Sequence, residues 1–564
     1  MKLGLNPAVA ARTGIIGTVD TPGTAVDVCA FNNIVAVADS SSGVSIFNVF
    51  NRMDPLIIAQ VPTLGPAVAV AISGNFLIAA HGASGVTILD ISHPPDVPVV
   101  YQGSVGGTAQ AVAASGDYAF VGTVEGAVTM IELSSSAALQ TIQLGGRVED
   151  LGIEGDTLYA YANGKLQIIP VGQGILAVSG SLASPAPSGI NAANGRGRIF
   201  VGGGVAYLVH TRGYNAFSVT NPAAPVLLLQ GNAVPNQFGW KQIALNGSGL
   251  MLGAVSPNQA FDGPHNLSLF TLNNPSVFAT FQTEFVTPGV ARSVALYNGL
   301  AYVADNTAGL QVIAYKETDF LGRPPTGTLI CTATNGTNGF IVEGTQVFFR
   351  AAVADDVQVR NVEFYVDGVK AATDGNFPFE FGWRPPPNSA GKTFKFTAVA
   401  SDTGGNTTNL TAITLSITPD TQPPTVAVNS PSAGQVLYDD DAVLVRLTVF
   451  DNVGIASLTF FVDGIEVSAT RISLTGWRIA SLASLGNHTL SVIATDYAGN
   501  TSSTMQAFVI RQVLWSREMA VLNSQPEPRP SVLSKEISVL VMQTETSNKT
   551  NIFSREKSVN NQHP

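Results

Sequence analysis

The sequence predicts an all-β chain: a seven-bladed β-propeller, then two Ig-like β-sandwiches in tandem, then a polar tail. Three observations carry this reading. A strand–loop–strand sentence recurs at 43–58 (GVSIFNVFNRMDPLII), 85–100 (GVTILDISHPPDVPVV) and 213–228 (GYNAFSVTNPAAPVLL), with apolar runs bounded by Gly and Pro as strands are. A second repeat, with a longer period, links 353–368 (VADDVQVRNVEFYVDG) to 449–464 (VFDNVGIASLTFFVDG). The composition is 45% hydrophobic and 12% charged, with 56 Gly, as expected of many short strands joined by tight turns around large cores.

A chain of 564 residues is long enough for several domains. Its net charge of −11 argues against non-specific binding to nucleic acid or to an anionic membrane. Cys29 and Cys331 are the two cysteines. They fall in different expected domains, so neither a disulfide framework nor a cysteine zinc site is available. No apolar run approaches the roughly 20 residues that span a bilayer. The opening MKLGLNPAVAARTG lacks the apolar core of a signal peptide. Either the protein is cytoplasmic or this is a piece of a longer exported chain; the tail described below favours the second, an extracellular or cell-surface setting.

The propeller comes first, over 1–319. Innermost strands are placed at Ala25, Ala67 and Ala109, then near Val148, Ile190, Lys241 and Ala291. Each start leads into a turn, a second strand and the two strands of the recurring sentence. Four strands in forty-odd residues make one blade. The seventh unit runs out at Asp319 after three strands. The segment 14–18 (GIIGT) stands before Gly23-Thr24-Ala25 as 99–104 stands before Gly107-Thr108-Ala109. The N-terminus is therefore expected to supply the missing outer strand, closing the ring and removing an edge that would template aggregation. The pattern Gly-x-x-Ile/Phe-x-Val/Ile followed by a Pro-bearing loop resembles the LVIVD repeat of bacterial propeller proteins, clearest in blades 1, 2 and 5. The resemblance implies a secreted or surface-exposed propeller.

Composition shifts at Arg323-Pro324-Pro325, and two copies of a sandwich follow, 322–419 and 420–512. Trp383-Arg384 matches Trp477-Arg478, and 396–408 (FTAVASDTGGNTT) matches 490–502 (LSVIATDYAGNTS). Each copy opens after a Pro pair, Pro324-Pro325 or Pro423-Pro424, which stiffens the linker. The copies have the length of immunoglobulin-like domains and resemble bacterial Ig-like modules of surface and secreted proteins. Without the antibody cysteine pair, their cores are expected to pack around Trp383 and Trp477. The tail, 513–564, repeats SRE-type segments at 516–523, 534–541 and 554–561. It is too polar to bury a core and reads as disordered. It resembles short SRE-x-SV repeats of bacterial surface proteins, which suggests a truncated chain.

Candidate functional residues fall in two groups. On the propeller, Asp39, His81, Thr123, Asn163, Gly203, Val255 and Asp305 read as equivalent ends of second strands. They lead into loops that share one face. Two of these loops read as long: 203–212, with His210 and Arg212 and then Tyr214, and 256–265, with Asp262 and His265. The connection between blades 5 and 6 adds Asn236, Gln237, Phe238 and Trp240. Long loops on a rigid scaffold are where function concentrates. The expected binding face is thus Asp39, His81, His210, Arg212, Tyr214, Phe238, Trp240, Asp262, His265 and Asp305, for a protein or glycan, the propeller standing on an Ig-like stalk. Beside this stands a plainer reading in which Asp39, His81 and Asp305 cap strand ends.

The chain is not expected to be an enzyme. The six histidines show no H-E-x-x-H spacing, and no Ser sits in a G-x-S-x-G turn before a helix. The runner-up is a secreted hydrolase or lyase using His210 and His265. A third reading is a structural part of a larger surface assembly.

The second group lies in the sandwiches. Asp355, Asp356 and Asp402 recur as Asp451, Asn452 and Asp496, and Asp420 sits in the linker. Oxygen-only ligands at a domain junction suit calcium. The competing reading is turn chemistry: Asp367-Gly368 and Asp463-Gly464 are hairpin turns, and D-x-x-G-N connects strands.

Overall fold

The computed structural model describes residues 13–133, 136–171, 176–186, 196–231, 238–256, 265–332, 339–473, 475–482 and 484–512. The tail and its expected disorder lie outside them.

The second and third strands of each blade are mainly apolar and buried at most positions. Ile34–Ala38, Phe76–Ala80 and Val86–Asp90 are buried at nearly every position. Strands that are apolar on both faces need cover on both, and sheets stacked side by side supply it. Among the described residues of 14–314, seven four-stranded antiparallel sheets form, six of them from consecutive strands and the seventh completed by the N-terminal strand. Their cores bridge neighbours: Phe120 and Val128 pack with Leu158 and Ala160 between blades 3 and 4. Val37 and Phe47 of blade 1 pack with Tyr302 and Val312 of the last blade, so the sheets close into a ring. The outer strand of that last sheet is Gly14–Val19. It runs antiparallel to Leu310–Ala314, with Gly14 opposite Ala314 and Val19 opposite Leu310.

Blade 5 departs from the expected register. Its inner strand is Arg198–Gly202, eight residues beyond the position expected near Ile190, which lies outside the described residues. Gly203 and Gly204 form the first turn, Val205–His210 is the second strand and Gly213–Ser218 the third. The segment 203–212 is therefore a turn and a strand, not a long loop. The additional residues sit upstream, in the connection from blade 4, where repeat spacing cannot locate them.

Each sandwich follows from alternating burial. Val347–Ala354 and Val443–Phe450 bury every second residue along most of their length, so each covers one face only, as sheets packed face to face do. In the first sandwich Thr326–Thr332, Val347–Ala354 and Phe379–Trp383 face a larger sheet centred on Thr393–Asp402. Its core stacks Phe349 on Phe396 at 4.2 Å, with Trp383 edge-on to Phe396 at 4.8 Å. In the second, Trp477 packs on Phe460 at 5.9 Å.

The first sandwich does not stand away from the ring as a stalk would. It lies over the face made by the turns between first and second strands. Phe377 enters between the turns of blades 5 and 6 and stacks on Phe200 at 6.4 Å. A Cβ on Gly202 would sit 2.7 Å from the Phe377 ring, and one on Gly247 would collide with it, so glycine at these two turns makes the seat. Asn298 N donates to Gly375 O at 3.0 Å. Asn376 Nδ2 donates to Ala30 O at 2.8 Å, and Gly155 N to Glu380 Oε2 at 2.8 Å. Arg350 pairs with Glu154 at 3.2 Å. The second sandwich reaches the same side through Arg471 and Glu132, at 2.6 Å.

Candidate functional site

The centre of the ring is polar. Asp27, Asp150, Arg198, Gln242 and Ser293 each lie on an inner strand. Arg198 pairs with Asp27, lies 3.5 Å from Asp150 and donates to Gln242 Oε1 at 3.1 Å. Arg196 meets Asp150 at 2.9 Å. Ser293 Oγ donates to Asp27 Oδ1 at 2.8 Å, and backbone N–H groups of Val70 and Ile199 donate to Asp27 and Asp150, each at 3.1 Å. Every carboxylate oxygen of Asp27 and Asp150 is thus engaged. A satisfied buried network of this kind rigidifies and specifies a core, and here it ties six blades together. Sequence reasoning passed over these residues. Their signal was a polar residue inside an otherwise apolar inner strand.

Asp39 and Asp305 are buried and perform one local task. Thr21 Oγ1 and Gly23 N donate to Asp39 at 2.7 and 3.0 Å. Thr287 Oγ1 and Gly289 N donate to Asp305 at 2.7 and 2.9 Å. Burial raises both carboxyls above the usual range, against the pull of these donors. Each Asp therefore pins a Thr-Pro-Gly connection between blades. The signal was present: each Thr precedes its Asp by 18 residues. His81 is buried beneath the corresponding loop with Nε2 at 3.0 Å from Thr87 Oγ1, and burial lowers its pKa. Asp39 and Asp305 hold loops from below, His81 bonds the third strand of its own blade, and all three are buried rather than presented on a face.

Tyr214 and Trp240 are also corrected. They are 0% and 1% exposed, inside the core between blades 5 and 6. Their rings meet at 6.0 Å, Trp240 lies 5.0 Å from Phe270, and Ala279 N donates to Tyr214 Oη at 2.9 Å. Trp240 belongs to the inner strand Phe238–Leu245 and faces the preceding blade rather than solvent. His265 is buried with Nε2 at 3.0 Å from Gly239 O. His210 is half-buried; its Nδ1 accepts from Arg212 N at 3.2 Å, and burial pushes its pKa down to about 4. Asp262, Asn236, Gln237 and the Phe238 side chain lie outside the described residues. Of the expected patch, His210 and Arg212 remain as half-buried neighbours.

The sandwich aspartates are brought together. Asp420, Asp451 and Asp496 each place a carboxylate oxygen within 4.8 Å of the others. In the first copy the matching group is Asp319, Asp355 and Asp356. Asp402 caps its own loop, accepting from Gly405 N at 2.7 Å and Asn406 N at 2.8 Å. It also lies beside Asp319 and Asp355 and helps burial to raise their carboxyls. Asp319 was read only as the last residue of the propeller. Its signal was its likeness to Asp420, since each stands just ahead of a Pro pair.

Comparison with known families gives two classes of module. The bacterial Ig domain family matches 330–398 and 424–492, and the LVIVD repeat family matches 64–98, 106–140 and 288–313. The chain carries LVIVD repeats on a propeller and bacterial Ig domains behind it. The matched repeats fall on blades 2, 3 and 7, whereas the clearest copies had been expected in blades 1, 2 and 5. No curated protein sequence matches the chain. Among solved structures, the β-propeller domain of Myceliophteria thermophila Cps50 (Swd1) is 14% identical, covering 54% of this chain and 99% of its own at a TM-score of 0.42. The WD40 propeller domain of Doa1 is 13% identical, covering 53% and 96% at 0.40. Fibronectin(III)-like modules of Clostridium thermocellum CbhA are 20% identical, covering 36% and 100% at 0.18.

Proposed function

We propose that the chain is a non-enzymatic secreted or cell-surface protein whose propeller recognises a protein or glycan through the ring face opposite the first sandwich. One observation carries this reading. The turn face is already occupied by the chain's own Phe377, Asn376 and Glu380, which leaves the face of blade connections and second-to-third strand loops. On that face Leu64 and Val286 are 63% and 68% exposed, and the loops of blade 3 add the exposed Arg147 and Glu125. Exposed apolar side chains set among charged ones suit a recognition surface. The bacterial Ig domains support a surface or exported setting. The engaged oxygens of Asp27 and Asp150 favour recognition over catalysis at the ring centre.

The test is binding of the full chain to a glycan array and to purified surface proteins, wild type against Leu64→Glu with Val286→Glu. The double variant is expected to lose the wild-type signal with an unchanged melting temperature. Equal binding by both proteins would move the site elsewhere. Turnover of a bound glycan would overturn the non-enzymatic reading.

A further inference from the structure

The two aspartate clusters occupy the same place in two copies of one fold. Asp355 and Asp451 follow the strands Val347–Ala354 and Val443–Phe450. Asp402 and Asp496 end the strands Thr393–Asp402 and Gly486–Asp496. A further carboxylate at each place, Asp319 or Asp420, arrives from the segment that precedes the sandwich; in the first copy Asp356 completes the cluster with Asp319 and Asp355, while Asp402 lies beside it and caps its own loop. We infer that each sandwich binds a calcium ion at its junction with the preceding domain, through Asp319, Asp355 and Asp356 in the first and Asp420, Asp451 and Asp496 in the second.

The first cluster shows what turn chemistry leaves unexplained. Asp319 is 3% exposed and its Oδ2 has no hydrogen-bond partner, although it faces two further carboxylates. Asp355 Oδ1 is buried and unpartnered as well. A buried acceptor without a donor is costly, and a buried carboxylate beside others of like charge more so. A turn-capping aspartate uses its oxygens on backbone N–H groups, as Asp355 Oδ2 does with Val357 and Gln358 at 3.0 and 2.8 Å. The oxygens left over point to a cation. In the second cluster the buried, unpartnered acceptor is Asn452 Oδ1, beside Asp420, to which Asn452 Nδ2 donates at 3.1 Å.

The chemistry selects calcium. The donors are all oxygen, and their separations, all within 4.8 Å, fit inside a shell of calcium–oxygen bonds of about 2.3–2.6 Å. Magnesium retains several waters and a tight octahedron and rarely takes such a cluster. Asp356 is exposed and gives the ion a way in. The ion would also join domains. Asp319 N already donates to Thr403 Oγ1 at 3.1 Å, and Asn500 Nδ2 to Asp420 O at 3.2 Å, so each ligand from the preceding segment is held against the loop that carries Asp402 or Asp496.

The experiment uses the full chain stripped with EGTA and titrated with calcium chloride by calorimetry. Two ions per chain are expected for the wild type, and one each for Asp319→Asn with Asp355→Asn and for Asp420→Asn with Asp451→Asn. Protease cleavage within 320–325 should slow when calcium is added to the wild type and stay unchanged for Asp319→Asn. In EGTA, Asp319→Asn should melt no lower than the wild type, because it removes repulsion and keeps the acceptor that receives Leu321 N. Absence of calcium heat, two ions in either double variant, or an equal loss of melting temperature with calcium and with EGTA would overturn the inference. An equal response to magnesium chloride would overturn the choice of calcium.

Discussion

Replacing Phe377 by Ala should release the first sandwich from the ring. Full burial of a Phe side chain is worth about 1.5–3 kcal/mol, and an aromatic pair adds about 0.5–1.5 kcal/mol. Phe377 is half-buried and has one ring partner across the junction, Phe200. The docking free energy should therefore fall by about 2–3 kcal/mol, or roughly 30- to 150-fold in the docked population. Hydrogen exchange reads this directly. The N–H groups of Asn298 and Gly155 donate across the junction to Gly375 O and Glu380, so both should exchange faster while the blade interiors stay protected. Because Phe377 also lies 6.2 Å from Phe379 in its own sandwich, Gly247→Ala serves as a second perturbation from the propeller side. Its Cβ would collide with the Phe377 ring and should produce the same pattern. Unchanged exchange at Asn298 and Gly155 in both variants would refute the docking reasoning.

The same junction should respond to pH. Burial raises Glu380 to about 8, with Glu154 and Asp374 adding to the rise and Arg350 opposing it, and burial raises Asp374 to about 7. Both groups hold protons when docked that they release when free. Docking is therefore fully supported below the ordinary carboxylate range and weakens as pH climbs through about 7 to 8; exchange of Gly155 N–H from pH 5 to 9 should show this, and Glu380→Gln should flatten it. In the ring centre, Arg198→Met should cost about 3–5 kcal/mol in urea unfolding, since it strands the buried Asp27 carboxylate and leaves Asp150 with Arg196 as its one cationic partner. A loss below about 1 kcal/mol would show that the network does not hold the inner strands.

The propeller was readable because its information is local. Apolar second and third strands between Gly- and Asn-bearing turns recur at a fixed spacing, and neither Ile34–Ala38 nor Phe76–Ala80 needs tertiary knowledge to be recognised. Blade 5 was misregistered because residues added before Arg198 leave no mark in the spacing that follows. Trp240 was misplaced for a related reason: an aromatic at the start of a strand and one in the loop before it look alike until the strand boundary is known. The seat of Phe377 was invisible, since Gly202 and Gly247 read as ordinary turn residues and their partner lies more than a hundred residues away. Asp319 was hidden by a domain boundary drawn through it.

The pairing of Gly14 with Ala314 sets a clock on biosynthesis. About 300 residues must be made before the first strand meets its partner, roughly 15–60 s at 5–20 residues per second. Through that interval Gly14–Val19 offers an open strand edge, and the side of blade 1 bearing Val37 and Phe47 lacks Tyr302 and Val312. Blade 1 is thus synthesised first and enclosed last. The nascent chain depends for that interval on whatever shields its leading edge, whether a chaperone or a translocation route that delays folding.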